Sequence, residues 1–215
     1  YAVMFVAAFH ALLMAALGVG VLVRWKDTPL KWLGGMLLPV LVASGVLGLL
    51  GAWLFGDFHW AVLAAFLLAA WVVLAGVRDL LDKTRHKGLL KGLAGLSRSY
   101  WGMQVAHFGI AVTALGIVLS SQYSLEHDLR MAPGEAVELG GYQFRFDGAK
   151  PHKGPNYTAH RGSVQVLKAG REVTVLHPEK RIYTVQSMPM TEAGIDPGFT
   201  RDLYVALGEP LEDGA

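Results

Sequence analysis

One histidine lies within a stretch of sequence that is otherwise free of charged side chains. His107 belongs to residues 101–121, which contain no Asp, Glu, Lys or Arg. An ionisable side chain in such a span is costly and therefore suggests a function. A neutral imidazole can be an axial ligand of haem iron, and the small residues Ala111 and Ala114 would let a flat macrocycle approach the helix. A structural histidine that hydrogen-bonds a neighbouring helix also explains the residue, and from this helix alone it is the favoured of two open interpretations.

The other histidines give weaker indications. His10, near the middle of the apolar stretch 1–23, could be an opposite axial ligand or a packing residue. His59 could touch a cofactor bound at the outer surface or simply lie at the membrane interface. Four more are irregularly spaced, which argues against a metal site: His127, His152, His160 and His177. No catalytic residue can be assigned, and the absence of cysteine excludes thiol chemistry and zinc–thiolate sites from this chain.

Four uncharged stretches predict the elements that would hold these histidines. They cover residues 1–23, 32–55, 60–77 and 101–121, each close to the length of about 20 residues that a membrane-spanning helix needs. Charged residues make up 17% of the chain, against about 25% in a typical soluble domain. We therefore predict an all-α membrane region over residues 1–121. A net charge of +2 does not indicate a nucleic-acid partner.

The connections between these stretches predict their orientation. The loops 24–31 and 78–100 together hold nine Lys and Arg, whereas 56–59 hold none. Basic loops face the cytoplasm, so both should lie inside. The basic part of the second loop, residues 83–98, could also contact anionic lipid. Residues 122–215 should then lie outside.

Residues 122–215 change to a period of two, which predicts β-strands. Tyr142, Phe144 and Phe146 alternate with polar residues, and Gly140 and Gly170 mark turns. We predict a small antiparallel β-domain, either a barrel or a sandwich. The segment 188–198 shows no periodicity and has two prolines, so a long ordered loop is expected there. It could dock a partner through Glu192 and Asp196, or only cover the open end of the domain.

Particular motifs in the second half of the chain resemble the C-terminal part of the CcmF family, the haem lyase subunits of bacterial cytochrome c maturation. The best-matching setting is Met103, Ala106, His107 and Gly109, and the resemblance extends through the segments 101–112, 123–135, 154–157, 161–162, 178–183, 188–195 and 201–208. It runs from about Ser97 to Ala215, whereas the first three helices match only in hydrophobic character.

The resemblance implies a function for the whole protein. Such a lyase takes haem from the chaperone CcmE and joins it by thioether bonds to the Cys-x-x-Cys-His motif of apocytochrome c. It works on the outer face of the bacterial inner membrane, with the C-terminal domain in the periplasm and a CcmH-type thiol-handling partner. A second haem, of b type, is held in the membrane and could pass electrons from quinol. The resemblance assigns its axial ligand to His107, and Met103, Ala111 and Ala114 would be adjacent.

Several parts of the family pattern have no counterpart in this sequence. They are the Trp-Trp-Asp segment that cradles delivered haem, its flanking histidines, the second b-haem ligand and a final helix. We therefore expect the chain to be a fragment of a longer protein and inactive alone. Two other classes stay open: a b-haem quinol-oxidising redox subunit without ligation activity, and a transporter fragment with a docking domain.

Overall fold

The chain forms two compact units, Tyr1–Ser124 and Leu125–Ala215. The computed structural model describes residues 2–23, 27–55, 57–86, 88–185, 188–198 and 201–209. Three cations of the predicted inner loops, Arg24, Lys26 and Lys87, lie outside the described residues.

The first unit is helical. In its described residues the helices are α1 (Ala2–Gly20), α2 (Leu30–Leu54), α3 (Trp60–Thr84), α4 (Leu89–Ala94) and α5 (Arg98–Tyr123). Among the described residues, α2, α3 and α5 are long and apolar enough to cross a membrane. The sequence-predicted third helix ended at Val77, but α3 continues to Thr84. Its last turns are polar and pair internally, because Asp79 and Lys83 stand four residues apart. The short helix α4 was not predicted.

Small residues let these helices approach closely. Ser44, Gly48 and Ala52 recur every four residues on α2 and are buried. A β-carbon at Gly51 would lie 2.4 Å from the ring of Phe66 on α3, so only glycine fits there without a shift. Membrane helices associate through such close packing because lipid provides no hydrophobic force between them. The interface of α2 and α3 is therefore specified by side-chain size.

The contact between α1 and α3 is built around Trp71. Its indole Nε1 donates a hydrogen bond to the carbonyl oxygen of Ala15 at 3.1 Å. A β-carbon at Gly18 would lie 2.0 Å from the same nitrogen. Met14 on α1 and Val72 and Ala75 on α3 are also buried there. An aromatic ring on one helix thus fills the space left by a glycine on another.

The second unit is an antiparallel β-structure. Its strands are β1 (Ala136–Leu139), β2 (Tyr142–Lys153), β3 (Tyr157–Lys168), β4 (Arg171–Leu176), β5 (Glu179–Tyr183), β6 (Pro189–Glu192), β7 (Gly194–Pro197) and β8 (Asp202–Val205). The first six form one sheet in the order β1-β2-β3-β5-β6, with β4 also paired to β3, and β7 pairs with β8. The core contains Phe146, Val166 and Leu176 from the large sheet and Leu203 from the small one.

Two backbone features shape the long β2–β3 ribbon. The pairing register shifts between Phe146 and Gly148, and Gly148 has a φ of 104°, which glycine adopts without strain. Such a bulge bends the ribbon and increases its twist. Beyond the bulge, Lys150 pairs with Arg161 across the two strands. The bend therefore separates the apolar part of the ribbon from a polar part.

The prediction of a long loop at residues 188–198 is wrong. The segment forms β6, which pairs with β5, and β7, which pairs with β8. The prolines concealed this because a residue without an N–H interrupts the usual strand pattern, yet proline is tolerated at sheet edges and strand starts. Pro189 begins β6, the last strand in the order of the large sheet. The two carboxylates proposed for docking are paired: Glu192 with Arg181 at 3.4 Å and Asp196 with Arg201 at 2.7 Å.

Candidate functional site

His107 lies on the face of α5 that is turned toward the other helices. Gln104, His107, Ala111 and Ala114 recur at intervals of three and four residues, so they share one face. His107 is half-buried, whereas Phe108 and Val112 beside it are 58% and 51% exposed. Within the described part of the chain, no group hydrogen-bonds or pairs with its imidazole. A polar ring in an apolar setting is thus left with both nitrogens available.

The three residues expected near a haem differ in their surroundings. Ala111 is only 1% exposed and belongs to a core cluster with Val72 and Ala75 of α3. Ala114 packs against the same cluster, and Met103 is half-buried one turn before His107. Ala111 therefore meets packed helix side chains, while Met103 and His107 lie toward the edge of this interface.

A polar cluster that the sequence did not predict joins α3 to α5; we call it the Asp79 clamp. Asp79 is 6% exposed and is paired with Lys83 of its own helix. The hydroxyl of Tyr100 donates to Asp79 Oδ2 at 2.8 Å, and Gln104 Nε2 donates to that hydroxyl at 2.7 Å. The same amide lies 3.3 Å from the carbonyl oxygen of Gly76. The clamp therefore satisfies a buried carboxylate with groups from both helices.

The clamp fixes α5 close to the candidate ligand. Gln104 precedes His107 by three residues, and a β-carbon at Gly76 would lie 2.5 Å from its Oε1. The rotation of α5 about its axis is thereby set within one turn of the histidine. Two sequence signals could have revealed the cluster: the four-residue spacing of Asp79 and Lys83, and the same spacing of Tyr100 and Gln104.

Aromatic contacts join the opposite end of α5 to the α2–α3 connection. Tyr123 stacks on Phe55 with ring centroids 5.7 Å apart and meets His59 edge-on at 5.6 Å. Its hydroxyl donates to the carbonyl oxygen of Asp57 at 3.1 Å. His59 thus takes part in packing within this unit. His10 is exposed on α1, and its ring lies edge-on to that of Phe9 with the ring centroids 6.0 Å apart.

The β unit places two of its histidines at an open cleft of about 450 Å³. The cleft lies beside the bulge, and its cationic or potentially cationic lining residues are Lys150, His152, Arg161 and His177. Nδ1 of His177 lies 3.3 Å from the carbonyl oxygen of Gly162. Among the described residues, no group of three or more His, Cys, Asp or Glu could hold a metal ion.

Glu179 is a buried carboxylate next to this cleft. It is 6% exposed, and Arg181 Nε donates to it at 2.6 Å, while Arg161 Nε is 3.5 Å away. Burial by itself raises the pKa of this carboxyl, but the hydrogen bond and positive charge of Arg181 and the charges of His152 and Arg161 outweigh that effect. The pKa of Glu179 consequently lies below its ordinary value of 4.5.

Comparison with known proteins identifies the family. Residues 122–215 match the model of the CcmF C-terminal β-sandwich. A cytochrome c-type biogenesis protein CcmF from Pseudomonas aeruginosa is 73% identical over 205 residues, covering 95% of this chain. The chain belongs to the CcmF family. The CcmF of Escherichia coli is 41% identical over 203 residues, covering 93% of this chain and 30% of that protein.

A solved structure shares the fold. A cytochrome c haem lyase CcmF matches 91% of this chain and 32% of its own length, with a TM-score of 0.65 and 23% identity. The chain spans about a third of the length of its CcmF relatives, 31% for the Pseudomonas aeruginosa protein. The family and the apolar helices together identify part of a multi-pass membrane protein whose β unit is a sandwich.

Proposed function

We propose that this chain is part of a cytochrome c haem lyase, in which His107 is an axial ligand of a b-type haem held in the membrane. The observation that carries the proposal is His107 itself: a half-buried imidazole on an apolar helix, without a hydrogen-bond partner in the described part of the chain. A polar group without a partner on a membrane-spanning helix is costly, and iron ligation would compensate that cost. Membership of the CcmF family supports the same assignment.

In this proposal the chain's own residues hold and orient the ligand. The Asp79 clamp sets the rotation of α5, and the imidazole then projects from the edge of the α3–α5 interface. Met103 would line the haem on the preceding turn, and Ala111 and Ala114 would keep the helix close to its neighbours. The haem, when bound, supplies one-electron transfer, with quinol as the proposed reductant. A second residue that holds the haem would come from another segment of the whole protein.

The proposed reaction of the whole protein joins haem to two cysteine thiols of apocytochrome c. Haem would arrive from the chaperone CcmE, and a CcmH-type partner would present the thiols. The location proposed for this chemistry is the outer face of the bacterial inner membrane, on the same side as the β unit. The nucleophiles of this reaction would be the thiols of the apocytochrome, and the contribution proposed for this chain is a haem ligand and a positioned domain.

Replacing His107 with Ala in the full-length protein tests the ligand. We expect loss of most b haem, seen as loss of the reduced b-type absorption bands after purification. Added imidazole should restore part of the absorption, because the substitution opens an axial position. The control is His10→Ala, which removes an imidazole from another apolar helix and should retain the haem.

Two outcomes would contradict the proposal. Unchanged haem content and band positions in the His107→Ala protein would exclude the ligand. Haem loss only in the His10→Ala protein would move the ligand to α1. A separate assay of haem attachment to a Cys-x-x-Cys-His acceptor distinguishes the lyase from a quinol-oxidising b-haem subunit, which would keep its spectrum and attach no haem.

A further inference from the structure

Two positive side chains face each other across the β2–β3 ribbon. Lys150 pairs directly with Arg161 in the antiparallel register, and His152 follows on the same face of β2. Like charges directly opposite each other destabilise a strand pair. All three residues line the open cleft beside the bulge at Gly148. The ribbon thus maintains a concentrated positive charge where its own pairing would disfavour it.

The nearby carboxylates neutralise this charge only in part. Asp147 at the cleft is bonded by Arg145 at 2.9 Å, and Glu179 is held mainly by Arg181 at 2.6 Å. Arg161 reaches Glu179 only at 3.5 Å. No carboxylate in the described part of the chain pairs with Lys150. The cleft therefore has a net positive charge and at least one ammonium group available to an anion.

We propose that this cleft binds the propionate carboxylates of haem. The inference rests on the proposed function, which requires the whole protein to handle haem outside the membrane. The polar lining includes hydrogen-bond donors from Lys150, Arg161 and Ser163, which suit carboxylate oxygens. Ligand sites for whole apolar molecules have mostly hydrophobic walls. Apart from Pro151, the residues that line this cleft are polar, charged or glycine, so it takes the acidic edge of the porphyrin and leaves the macrocycle outside.

The test compares haem with haem dimethyl ester, in which both propionates are esterified. Each compound is titrated into the full-length protein carrying Lys150→Glu or the control Lys153→Glu. Lys153 lies on the same strand but pairs with Thr158 on the opposite face, so the control has the same net charge. We expect Lys150→Glu to weaken haem binding about ten-fold, the loss of one charge-assisted hydrogen bond. Binding of the ester should be unchanged, and Lys153→Glu should match the parent protein.

Two further measurements separate the result from the His107 assignment and from a folding defect of Lys150→Glu. The titrations are repeated in the His107→Ala protein, where any b haem held by that residue is absent. Lys150→Gln, which removes the charge without reversing it, covers the case in which Lys150→Glu fails to fold. Equal effects of Lys150→Glu and Lys153→Glu would overturn the proposal. Equal weakening of haem and its ester would also overturn it, because the propionates would then not be what the cleft recognises.

Discussion

Glu179 shows how one buried carboxylate can organise the polar side of the β unit. It pairs with Arg161 on β3 through the sheet register and with Arg181 two residues along its own strand. Arg181 in turn lies over the ring of Tyr157, with its guanidinium carbon 4.4 Å from the centroid. A buried charge is tolerated when its partners satisfy it, and removal of one partner is costly. The carboxylate therefore links three side chains of the sheet while it is ionised.

The stability of the β unit should consequently fall in acid. Since the folded pKa of Glu179 is lower than the unfolded one, protonation favours the unfolded chain. The stabilisation is complete above the unfolded value and disappears as the pH falls through the folded value. Thermal unfolding of the full chain, followed by near-ultraviolet circular dichroism between about pH 6 and pH 3, measures this dependence.

The comparison variants for this prediction are Glu179→Gln and Glu138→Gln. Glu179→Gln should be less stable than the parent at neutral pH, and the difference should vanish in acid. Glu138 is exposed on β1, so its substitution should leave the profile close to that of the parent. If the stability of Glu179→Gln differed from that of the parent by the same amount at every pH, ionisation of Glu179 would not be linked to folding.

At the scale of elements, the Asp79 clamp is the main polar contribution to helix packing. Asp79, Lys83 and Gly76 belong to α3, while Tyr100 and Gln104 belong to α5. Apart from the hydrogen bond of Trp71 to Ala15 between α3 and α1, the other contacts described between the helices are apolar or involve small residues, which specify distance more than rotation. Hydrogen bonds have direction, so the clamp selects one rotation of α5.

Asp79→Asn should weaken the α3–α5 interface by about 2 kcal/mol, because a charge-assisted bond is lost and Lys83 loses its partner. Unfolding of the purified protein by dodecyl sulfate in mixed micelles measures the change. Asp82→Asn is the matched control, since Asp82 is on the same helix and pairs with the exposed Arg85 at 3.4 Å. Equal loss of stability in the two variants would show that the clamp has no special role.

The sequence predicted the presence of most helices and strands better than it predicted where they end or which residues they contact. The uncharged stretches correspond to helices because bilayer thickness sets their length, and the alternation at Tyr142, Phe144 and Phe146 lies on β2. The C-terminal end of α3 was missed because charge normally marks a loop, whereas Asp79 pairs with Lys83 of its own helix and accepts a hydrogen bond from Tyr100 of α5. Strands β6 and β7 were missed because Pro189 and Pro197 conceal their period. Contacts of this kind depend on residues distant in sequence, which local patterns do not report.

For the whole molecule, the uneven distribution of positive charge among the helix connections remains the basis for predicting its orientation in the membrane. Described residues of the predicted inner side include Lys31, Arg78, Arg85 and Arg98, whereas Asp57 is the charged residue of the opposite connection. Tyr123 and Phe55 form an aromatic contact near that opposite connection, as side chains at a membrane interface commonly do. The orientation therefore stays a prediction, with the two basic connections in the cytoplasm and the β unit in the periplasm.

Reporter fusions test this orientation. A reporter that works only in the cytoplasm should be active when fused after Lys91, and one that works only in the periplasm should be active after Gly170. The reciprocal fusions should be inactive, and immunoblots should show equal protein levels. The opposite pattern of activities would reverse the proposed topology.

The pairing of Asp79 with Lys83 also bears on how the polypeptide enters the bilayer during synthesis. Both charges lie on α3, so the helix brings the counter-ion of its acid with it. Insertion of a lone carboxylate carries a penalty of about 3 kcal/mol at the centre of a span and a smaller one in the last turns of a helix, where Asp79 lies. A partner on α5 alone would leave that penalty unrelieved until a later segment had been translated. With the lysine one turn away, α3 can be inserted before α5 emerges from the ribosome, and Tyr100 and Gln104 need only complete a pair that is already neutral.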